Sequence, residues 1–403
     1  MTGQKHTVAV VGSGNWGSTI AKILAENTRE HPDVFEEKVQ MWVFEEDVTV
    51  PESSPHRGQL GDKTYKLTEL INNVHENVKY LPGTALPDNV VANPDLLDAV
   101  KAATLLVFNL PHQFIDKTLE QLKGHVRPYA RAISCVKGVE VADGRVTLFS
   151  ELIMQKLGIY CGSLSGANIA PEVAAEMFCE TTIGYDPPPM DLDSEQEGSP
   201  DNRHKIDKQR QHRVSTTSTV LHRVPDEYPT VDGKLLHRLF ERPYFHVHVV
   251  PDVAGVALCG ALKNIVALAA GFVAGKGWGE NSKAAIIRIG MMEMLRFGRI
   301  WFPDSVDGKT FTEESAGVAD LLTSCSAGRN FRSAKHSVEK GVSVDEIEQS
   351  ELNGQKLQGT STARAVCDFL STHGKADEFP LFNAVNGILD GKVSVDELPK
   401  LLK

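Results

Sequence analysis

The chain has 403 residues with a formal net charge of −11, and 41% of its residues are hydrophobic and 24% charged. This length is enough for two domains that each bury a full core. The acidic balance argues against general binding to nucleic acid or to an anionic membrane surface. The six cysteines form no CxxC pair, which favours free thiols in a reducing compartment over a zinc or disulfide framework. We therefore expect a cytoplasmic protein without a structural metal.

A glycine-rich motif follows the first apolar run. Thr7–Val11 is predicted to be a strand, Gly12–Gly17 (GSGNWG) matches GxGxxG, and helical sequence begins at Ser18. In this context the glycines allow a tight turn, close approach of a pyrophosphate and close helix–strand packing, while the helix N-terminus supplies N–H donors. The motif predicts a dinucleotide site, with a plain glycine turn as the alternative. Because the strand starts so early, we expect no signal or transit peptide.

Acidic residues follow the second predicted strand. Val39–Phe44 ends at Glu45, Glu46 and Asp47, and no arginine comes directly after them. An acid at this position commonly binds the adenosine ribose 2′-OH and repels a 2′-phosphate, so NAD is favoured over NADP. The spacing leaves open which of the three acids, if any, binds the ribose.

Later apolar runs are typical of buried parallel strands, and helical patterns dominate after residue 250. We predict an α/β fold in which a Rossmann-like parallel-sheet domain (1–250) precedes an all-α domain (251–403). Residues 48–65 are polar and rich in Pro, Gly and Ser, which predicts an exposed loop. His246 and His248 lie on one face of a predicted strand, where packing is a better explanation than metal binding. The strand predictions are Thr104–Leu110, Arg131–Val136, Tyr160–Ser165, Thr181–Tyr185 and Tyr244–Val250.

Residues 186–234 differ in composition from the sequence on either side. They contain a proline triplet, an acidic patch and a basic Ser/Thr tract (203–223), with almost no apolar periodicity. This composition predicts a flexible surface insertion. Within the tract, Arg210 and Arg213 precede Ser215 as in a basophilic kinase site, although such short patterns often arise by chance.

A long apolar stretch from Ala254 to Ala274 carries Lys263 and Asn264 at its centre. Its length would allow a membrane span, but a lysine at mid-span costs about 2.5–3.5 kcal/mol on insertion scales. A buried helix of a soluble domain therefore fits better, and a lysine inside it is either a structural ion pair or a catalytic or anion-binding group.

Other polar residues complete a plausible reaction site. Lys137 follows the end of a predicted central strand, where ligands bind in open α/β sheets, although a solvated lysine is also common there. Asp320 and Ser324 share one helix face, and Arg329 follows a glycine turn as in phosphate sites. The set suits hydride transfer to or from a small anionic carbonyl or alcohol substrate, with Lys263 exchanging the proton.

Nine motifs, in the same order along the chain, resemble the eukaryotic cytosolic NAD-dependent glycerol-3-phosphate dehydrogenases. They cover nearly the whole chain outside 48–65 and 186–234. They are VGSGNWG (Val11–Gly17), WVFEED (Trp42–Asp47), HENVKYLPG (His75–Gly83), PHQF (Pro111–Phe114), SGANIA (Ser165–Ala170), CGALKN (Cys259–Asn264), GVADLLTS (Gly317–Ser324), GRN (Gly328–Asn330) and NGQKLQG (Asn353–Gly359).

The resemblance implies reversible NADH-dependent reduction of dihydroxyacetone phosphate to sn-glycerol 3-phosphate by a homodimer, linking glycolysis, glycerolipid synthesis and reoxidation of cytosolic NADH. It implies that Lys263 is the acid/base, that Lys137, Asn264, Asp320 and Ser324 surround the reacting carbon, and that Lys137, Arg329 and Asn330 bind substrate. The implied NAD contacts are Gly12, Ser13, Gly14, Asn15, Trp16, Gly17, Phe44, Phe114, Ala170, Arg329, Lys356 and Gln358. In the family the position of Phe44 lies near the adenine, which weakens the case for Glu45 at the ribose.

Departures from the family pattern are few. Ser324 stands where a threonine is common, Ala327 where a glycine is usual, and Asn109 where a valine is common. Two alternatives stay open at this point. A β-hydroxyacid dehydrogenase would share the two-domain plan and the lysine but take a carboxylate substrate, and a non-enzymatic NAD sensor would require loss of a catalytic group.

Overall fold

The computed structural model describes residues 3–52, 54–142, 144–192, 219–352 and 356–402. These residues form two units. The first contains the described residues of Met1–Val136, Ser150–Leu164 and Asn168–Pro251, and the second those of Lys137–Phe149, Ser165–Ala167 and Asp252–Lys403. The second unit thus includes two short segments that the sequence analysis placed in the first domain.

An eight-stranded sheet forms the centre of the first unit. Its order is β12-β11-β10-β7-β6-β1-β2-β5, and the β1–β2, β1–β6, β2–β5, β6–β7, β7–β10 and β11–β12 pairs are parallel. β1 and β6 are buried throughout most of their length, which explains their continuous apolar sequences. The strands are β1 His6–Val11, β2 Phe35–Trp42, β5 Val90–Asn93, β6 Leu105–Phe108, β7 Arg131–Ser134, β10 Tyr160–Ser165, β11 Cys179–Gly184 and β12 Phe245–Val250.

This strand order positions the dinucleotide site. The chain runs from β1 to β2 on one side and later adds β6 on the other side of β1, so the order reverses between β1 and β6. Ligands bind at such switch points, beyond the carboxyl ends of the strands. The helices of this unit are α1 Asn15–Glu30, α2 Arg57–Leu60, α3 Leu67–Val74, α4 Leu96–Val100, α5 His112–Leu122, α6 Phe149–Leu157, α7 Ala170–Ala174 and α8 Gly233–Phe240.

The segment predicted to be an exposed loop is more ordered than expected. A two-stranded hairpin, β3 (Asp47–Thr49) with β4 (Thr64–Lys66), closes it, and α2 lies between the strands. Val48 and Val50 are buried in the core of the unit. A short hairpin needs only a few buried apolar residues. Val48 and Val50 are therefore too few to predict a hairpin within a segment rich in Pro, Gly and Ser.

Only the two flanks of the predicted insertion lie within the described residues. Ser215 and most of the basic tract fall in 193–218, outside the described part of the chain. In the flanks, Asp191 is buried and forms an ion pair with buried Arg131, which also donates to the His222 carbonyl at 2.8 Å. The Val224 amide donates to Asp191 at 3.1 Å. The flanks are therefore packed, which differs from the expectation of a loose segment over the whole of 186–234.

One long helix, α9 (Val253–Gly275), is the core of the second unit. It is long and apolar enough to span a membrane, but nearly all of its residues are buried against neighbouring helices. A hairpin, β8 (Val139–Ala142) with β9 (Arg145–Leu148), also packs in this unit. The other helices are α10 Glu280–Trp301, α11 Gly308–Thr312, α12 Asp320–Ala327, α13 Arg329–Lys340, α14 Val344–Glu351, α15 Gln358–Thr372, α16 Pro380–Leu389 and α17 Leu398–Leu401.

Candidate active site

The glycine-rich turn between β1 and α1 has the shape of a phosphate cradle. Gly12 has a φ of +114°, and a Cβ there would lie 2.6 Å from the carbonyl oxygen of Asn109; a Cβ at Gly17 would lie 2.1 Å from the Gly12 carbonyl oxygen. No side chain of the described residues caps α1 at Gly14, and its first turn carries no acid. The turn therefore requires glycine, and the helix N-terminus suits an anion.

Asn109 is an unused polar group beside this turn. It follows β6, and both polar atoms of its carboxamide are buried with no hydrogen-bond partner among the described residues. Burying such a group without a partner costs about 1–3 kcal/mol. A polar ligand at the switch point would offset this cost, so the residues present fit a bound dinucleotide.

The other predicted cofactor contacts of the first unit are two exposed aromatic rings, the start of α7 and further residues of the turn and of α1. Phe44 is 71% exposed and Phe114 53% exposed, so both rings are available to a flat ligand group. Ala170 begins α7, and its carbonyl accepts a hydrogen bond from Thr19 of α1 at 3.3 Å. Ser13 is buried, and the Trp16 amide is bonded to the Asn15 side chain at 2.7 Å.

The three acids after β2 already have partners. Glu45 accepts from the backbone and hydroxyl of Thr68 at 3.2 and 2.5 Å, which anchors the start of α3. Glu46 binds Lys79 and the Tyr80 hydroxyl, and Asp47 pairs with Lys66. All three carboxylates are therefore engaged by side chains or backbone groups of the same unit.

Lys263 lies at the middle of α9 and its ammonium hydrogen-bonds to Oδ1 of Asp320, the first residue of α12. Lys263 and Asp320 are 5% and 3% exposed. The other carboxylate oxygen, Oδ2, accepts from Lys137 Nζ at 3.3 Å and from the Ser165 hydroxyl at 3.3 Å. Three residues far apart in the chain thus meet at the carboxylate of Asp320.

Burial and charge oppose each other in this cluster. The pKa of Lys263 is lowered to about 7, because burial and the nearby Lys137 ammonium lower it by more than the Asp320 carboxylate raises it. Burial raises the pKa of Asp320, but the two ammonium groups more than offset this, so its pKa lies below its usual value. Asp320 is therefore ionised near neutral pH, while Lys263 can gain or lose a proton.

Asn264, the residue after Lys263 on α9, forms a second polar pair with Asn330. Asn330 Nδ2 donates to Asn264 Oδ1 at 2.9 Å, and the Gly359 amide donates to Asn330 Oδ1 at 2.9 Å. Both asparagines are buried. The contacts fix the orientation of the Asn264 carboxamide.

Arg329 and Ser324 are close in sequence to residues already described: Arg329 directly precedes Asn330, and Ser324 follows Asp320 by four positions. Arg329 is exposed and begins α13, whose N-terminus at Gly328 has no side-chain cap among the described residues. Ser324 is buried one turn after Asp320 on α12. The pairing of a guanidinium with a helix N-terminus suits a phosphate.

Lys356 and Gln358 flank the start of α15. Lys356 pairs with Glu348 at 2.8 Å and Asp345 at 3.5 Å, and Gln358 Nε2 donates to the Lys137 carbonyl at 3.5 Å. The preceding residues 353–355 of this motif are outside the described part of the chain.

Two buried residues of this unit were not singled out from the sequence. Ser165 appeared only as part of a motif, because a serine that ends a strand carries no local signal of a distant partner. Glu348 is fully buried and accepts from the Leu357 amide at 2.9 Å and the Thr360 hydroxyl at 2.8 Å, which anchors the start of α15. The sequence indicates a role for Glu348 only by placing a charged residue at a core position of a helical pattern.

The glycine-rich turn at the switch point of the sheet and the buried lysine–carboxylate cluster are typical of a dinucleotide-dependent dehydrogenase. Two family models match the chain. They are described as the NAD-dependent glycerol-3-phosphate dehydrogenase N-terminus (residues 7–190) and C-terminus (residues 252–400).

Known proteins agree with these matches. Glycerol-3-phosphate dehydrogenase [NAD(+)] of Pichia angusta is 48% identical over 405 aligned residues, covering 100% of this chain and 93% of the relative. Glycerol-3-phosphate dehydrogenase [NAD(+)] 1 of Saccharomyces cerevisiae is 48% identical, with 98% and 89% covered. A solved structure of the Saccharomyces enzyme superposes with a TM-score of 0.82 at 46% identity, covering 99% of this chain and 100% of that one.

The chain belongs to the NAD-dependent glycerol-3-phosphate dehydrogenase family and is an oxidoreductase that uses NAD. The predicted family, fold class, enzyme class and cofactor are confirmed. The family reaction interconverts dihydroxyacetone phosphate and sn-glycerol 3-phosphate, so the β-hydroxyacid dehydrogenase and the non-enzymatic sensor are no longer needed as alternatives.

Proposed function

We propose that this chain catalyses the family reaction with Lys263 as the proton donor and acceptor. The observation that supports this most directly is the buried Lys263 ammonium on Asp320, with a pKa lowered to about 7. NADH held at the glycine-rich turn Gly12–Gly17 would supply the hydride for the carbonyl carbon. Lys263 Nζ gives its proton to the carbonyl oxygen, which becomes the hydroxyl, and the neutral amine then regains a proton from solvent.

The neighbouring residues orient and polarise the substrate. Lys137 has a 28% exposed side chain and a positive charge close to the lysine–carboxylate pair, so it can attract the substrate oxygen. The Asn264 carboxamide is fixed by Asn330 and can hydrogen-bond beside the reacting carbon. Ser324, one turn after Asp320, contributes a further hydroxyl on the same helix.

The substrate phosphate is assigned to the start of α13. Arg329 offers a planar set of donors, and the helix N-terminus adds backbone N–H groups and a favourable dipole. Asn330 is buried and holds Asn264 and Gly359, so its part in phosphate binding is to place the backbone of this turn. For the cofactor, we propose that NAD contacts the residues that the family resemblance implies. They are Gly12–Gly17, Phe44, Phe114, Ala170, Arg329, Lys356 and Gln358.

The test is turnover of NADH, followed at 340 nm, with dihydroxyacetone phosphate and the purified protein. Lys263→Ala should lower kcat by about 10²–10⁴-fold, the usual contribution of a general acid. NADPH in place of NADH, and Lys283→Ala on the neighbouring helix α10, serve as controls. A Lys263→Ala protein that binds NADH and keeps the wild-type kcat would contradict the proposed role.

We further propose a cytoplasmic homodimer. The six cysteines are free thiols, as a reducing compartment requires, although one similar Saccharomyces protein carries the name mitochondrial. Light scattering should give twice the chain mass of 44.1 kDa, and cell fractionation tests the location. A monomer, or a protein found with mitochondria, would contradict the respective proposal.

A kinase acting on the 203–223 tract is a separate proposal, based on Arg210, Arg213 and Ser215. Incubation with a basophilic kinase, followed by mass spectrometry, should show phosphate on Ser215 and none in Ser215→Ala. Absence of phosphate from the wild-type protein would remove the proposal.

A further inference from the structure

Ser165 contacts the carboxylate that holds the proposed acid/base. It is the last residue of β10, is 3% exposed, and donates its hydroxyl to Asp320 Oδ2 at 3.3 Å. Lys137 uses the same oxygen, at 3.3 Å, while Lys263 uses Oδ1. The two carboxylate oxygens of Asp320 therefore accept from different partners: Oδ1 from Lys263, and Oδ2 from Lys137 and the Ser165 hydroxyl.

A second hydrogen bond fixes the segment that carries Ser165. The Ala167 amide donates to the Ser315 hydroxyl at 3.3 Å. Ser315 begins a π-helical turn, Ser315–Ala319, that ends immediately before Asp320. The segment 165–167 is thus bound to both ends of the turn that presents the carboxylate, and π turns are frequent at functional sites.

Packing against α9 holds the Ser165 hydroxyl in place. Gly260, about one turn before Lys263, has space for no side chain, because a Cβ there would lie 2.8 Å from Ser165 Oγ and 3.6 Å from Lys137 Cγ. The hydroxyl is therefore enclosed by the same helix that carries the lysine.

We propose that Ser165 is a positioning residue for the reaction: by holding Oδ2 of Asp320 together with Lys137, it keeps Oδ1 directed at Lys263. Without this donor the buried carboxylate can rotate toward Lys137, and the Lys263 ammonium loses part of its stabilisation. The inference rests on the proposed role of Lys263 and adds a residue that acts through Asp320 and not on the substrate.

The decisive variant is Ser165→Ala, assayed for kcat, KM and pH dependence. We expect kcat for reduction to fall about tenfold, with KM for dihydroxyacetone phosphate nearly unchanged, because a hydrogen bond to a buried charge is lost. The alkaline limb of the reduction profile should move to lower pH by about half a unit or more, because the ammonium is less stabilised. Ser165→Thr keeps the hydroxyl and should restore the limb.

Ser163→Ala is the matched control. Ser163 lies two residues earlier on the same strand and is also buried, so a general effect of a smaller side chain would appear there as well. Gly260→Ala should reproduce the pH shift by displacing the Ser165 hydroxyl, which provides an independent test if Ser165→Ala folds poorly.

Two results would overturn the proposal. An unchanged kcat and pH limb in folded Ser165→Ala would show that the hydroxyl does not position Asp320. A rise in KM alone would make Ser165 a substrate contact instead. Lys263→Ala is assayed in parallel: if it stays active, the acid/base assignment fails, whatever Ser165→Ala does.

Discussion

The proposed acid/base, Lys263, is suited to both directions of the reaction because its two protonation states are close in free energy near neutral pH. Burial disfavours the ammonium, and the Asp320 carboxylate favours it, so the pKa settles at about 7. A lysine with its ordinary pKa would be a poor base at neutral pH, and a lysine without Asp320 would be a poor acid. One buried carboxylate therefore makes the residue suitable for a reversible reaction.

The pH dependence should differ between the two directions. Reduction requires the ammonium, so kcat/KM with dihydroxyacetone phosphate should fall as pH rises through about 7. Oxidation of sn-glycerol 3-phosphate requires the neutral amine, so its kcat/KM should rise through the same range. Profiles measured in both directions, with substrate ionisation subtracted, check this; two profiles that rise together would contradict it.

Arg329 should control substrate affinity more than chemistry. Charge-assisted hydrogen bonds contribute about 1.5–3 kcal/mol each, so Arg329→Gln should raise KM for dihydroxyacetone phosphate about 10- to 100-fold. Arg332→Gln changes an exposed arginine one turn later on α13 and should have little effect. Equal effects of the two variants would place the phosphate elsewhere.

At the scale of elements, a buried carboxylate joins two helices of the second unit. Glu293 of α10 accepts from the Leu381 and Phe382 amides at 2.7 and 3.0 Å, at the start of α16. These amides would otherwise lack partners at a helix N-terminus. Burial raises the pKa of Glu293 to about 7, although the two amides lower it in part.

This raised pKa predicts a pH-dependent stability. The folded state favours protonated Glu293, so its contribution is fully present below about pH 4.5 and is lost as pH rises through about 7. Glu293→Gln should therefore become more stable relative to wild type by about 2–3 kcal/mol between pH 5 and 8. Urea unfolding at both pH values measures this, and a pH-independent difference would contradict it.

At the scale of the whole molecule, the two units contain different functional groups. The first contains the glycine-rich turn at the switch point of its sheet, and the second contains Lys263, Asp320, Lys137 and Ser165 around a central helix. The buried Arg131–Asp191 pair ties both flanks of the 193–218 segment to β7. A buried ion pair thus connects β7 with the described residues on both sides of this segment in the sequence.

Removing one partner of this pair should be costly. Asp191→Ala leaves the Arg131 guanidinium buried without its counter-charge, so the free energy of unfolding should fall by about 3–5 kcal/mol. The double variant Arg131→Met, Asp191→Leu should lose less, because no lone charge remains. Denaturant unfolding of the three proteins checks this, and equal losses would show that the charge itself is not responsible.

Features encoded over a few neighbouring residues were determined by the sequence alone. The GxGxxG turn, the continuous apolar strands and the buried lysine helix depend on local spacing and periodicity, and the structure has them where expected. Resemblance in long motifs then supplied the family, and the comparisons confirmed it.

Tertiary structure decided which distant residues become partners. Lys137, Ser165, Lys263 and Asp320 meet only because the fold packs four separate segments of the chain together, and Asp191 pairs with Arg131 across sixty positions of sequence. The same holds for Glu45, whose carboxylate anchors α3 at Thr68. Hydrogen-bond partners of buried charges depend on long-range packing, and no local pattern in the sequence specifies them.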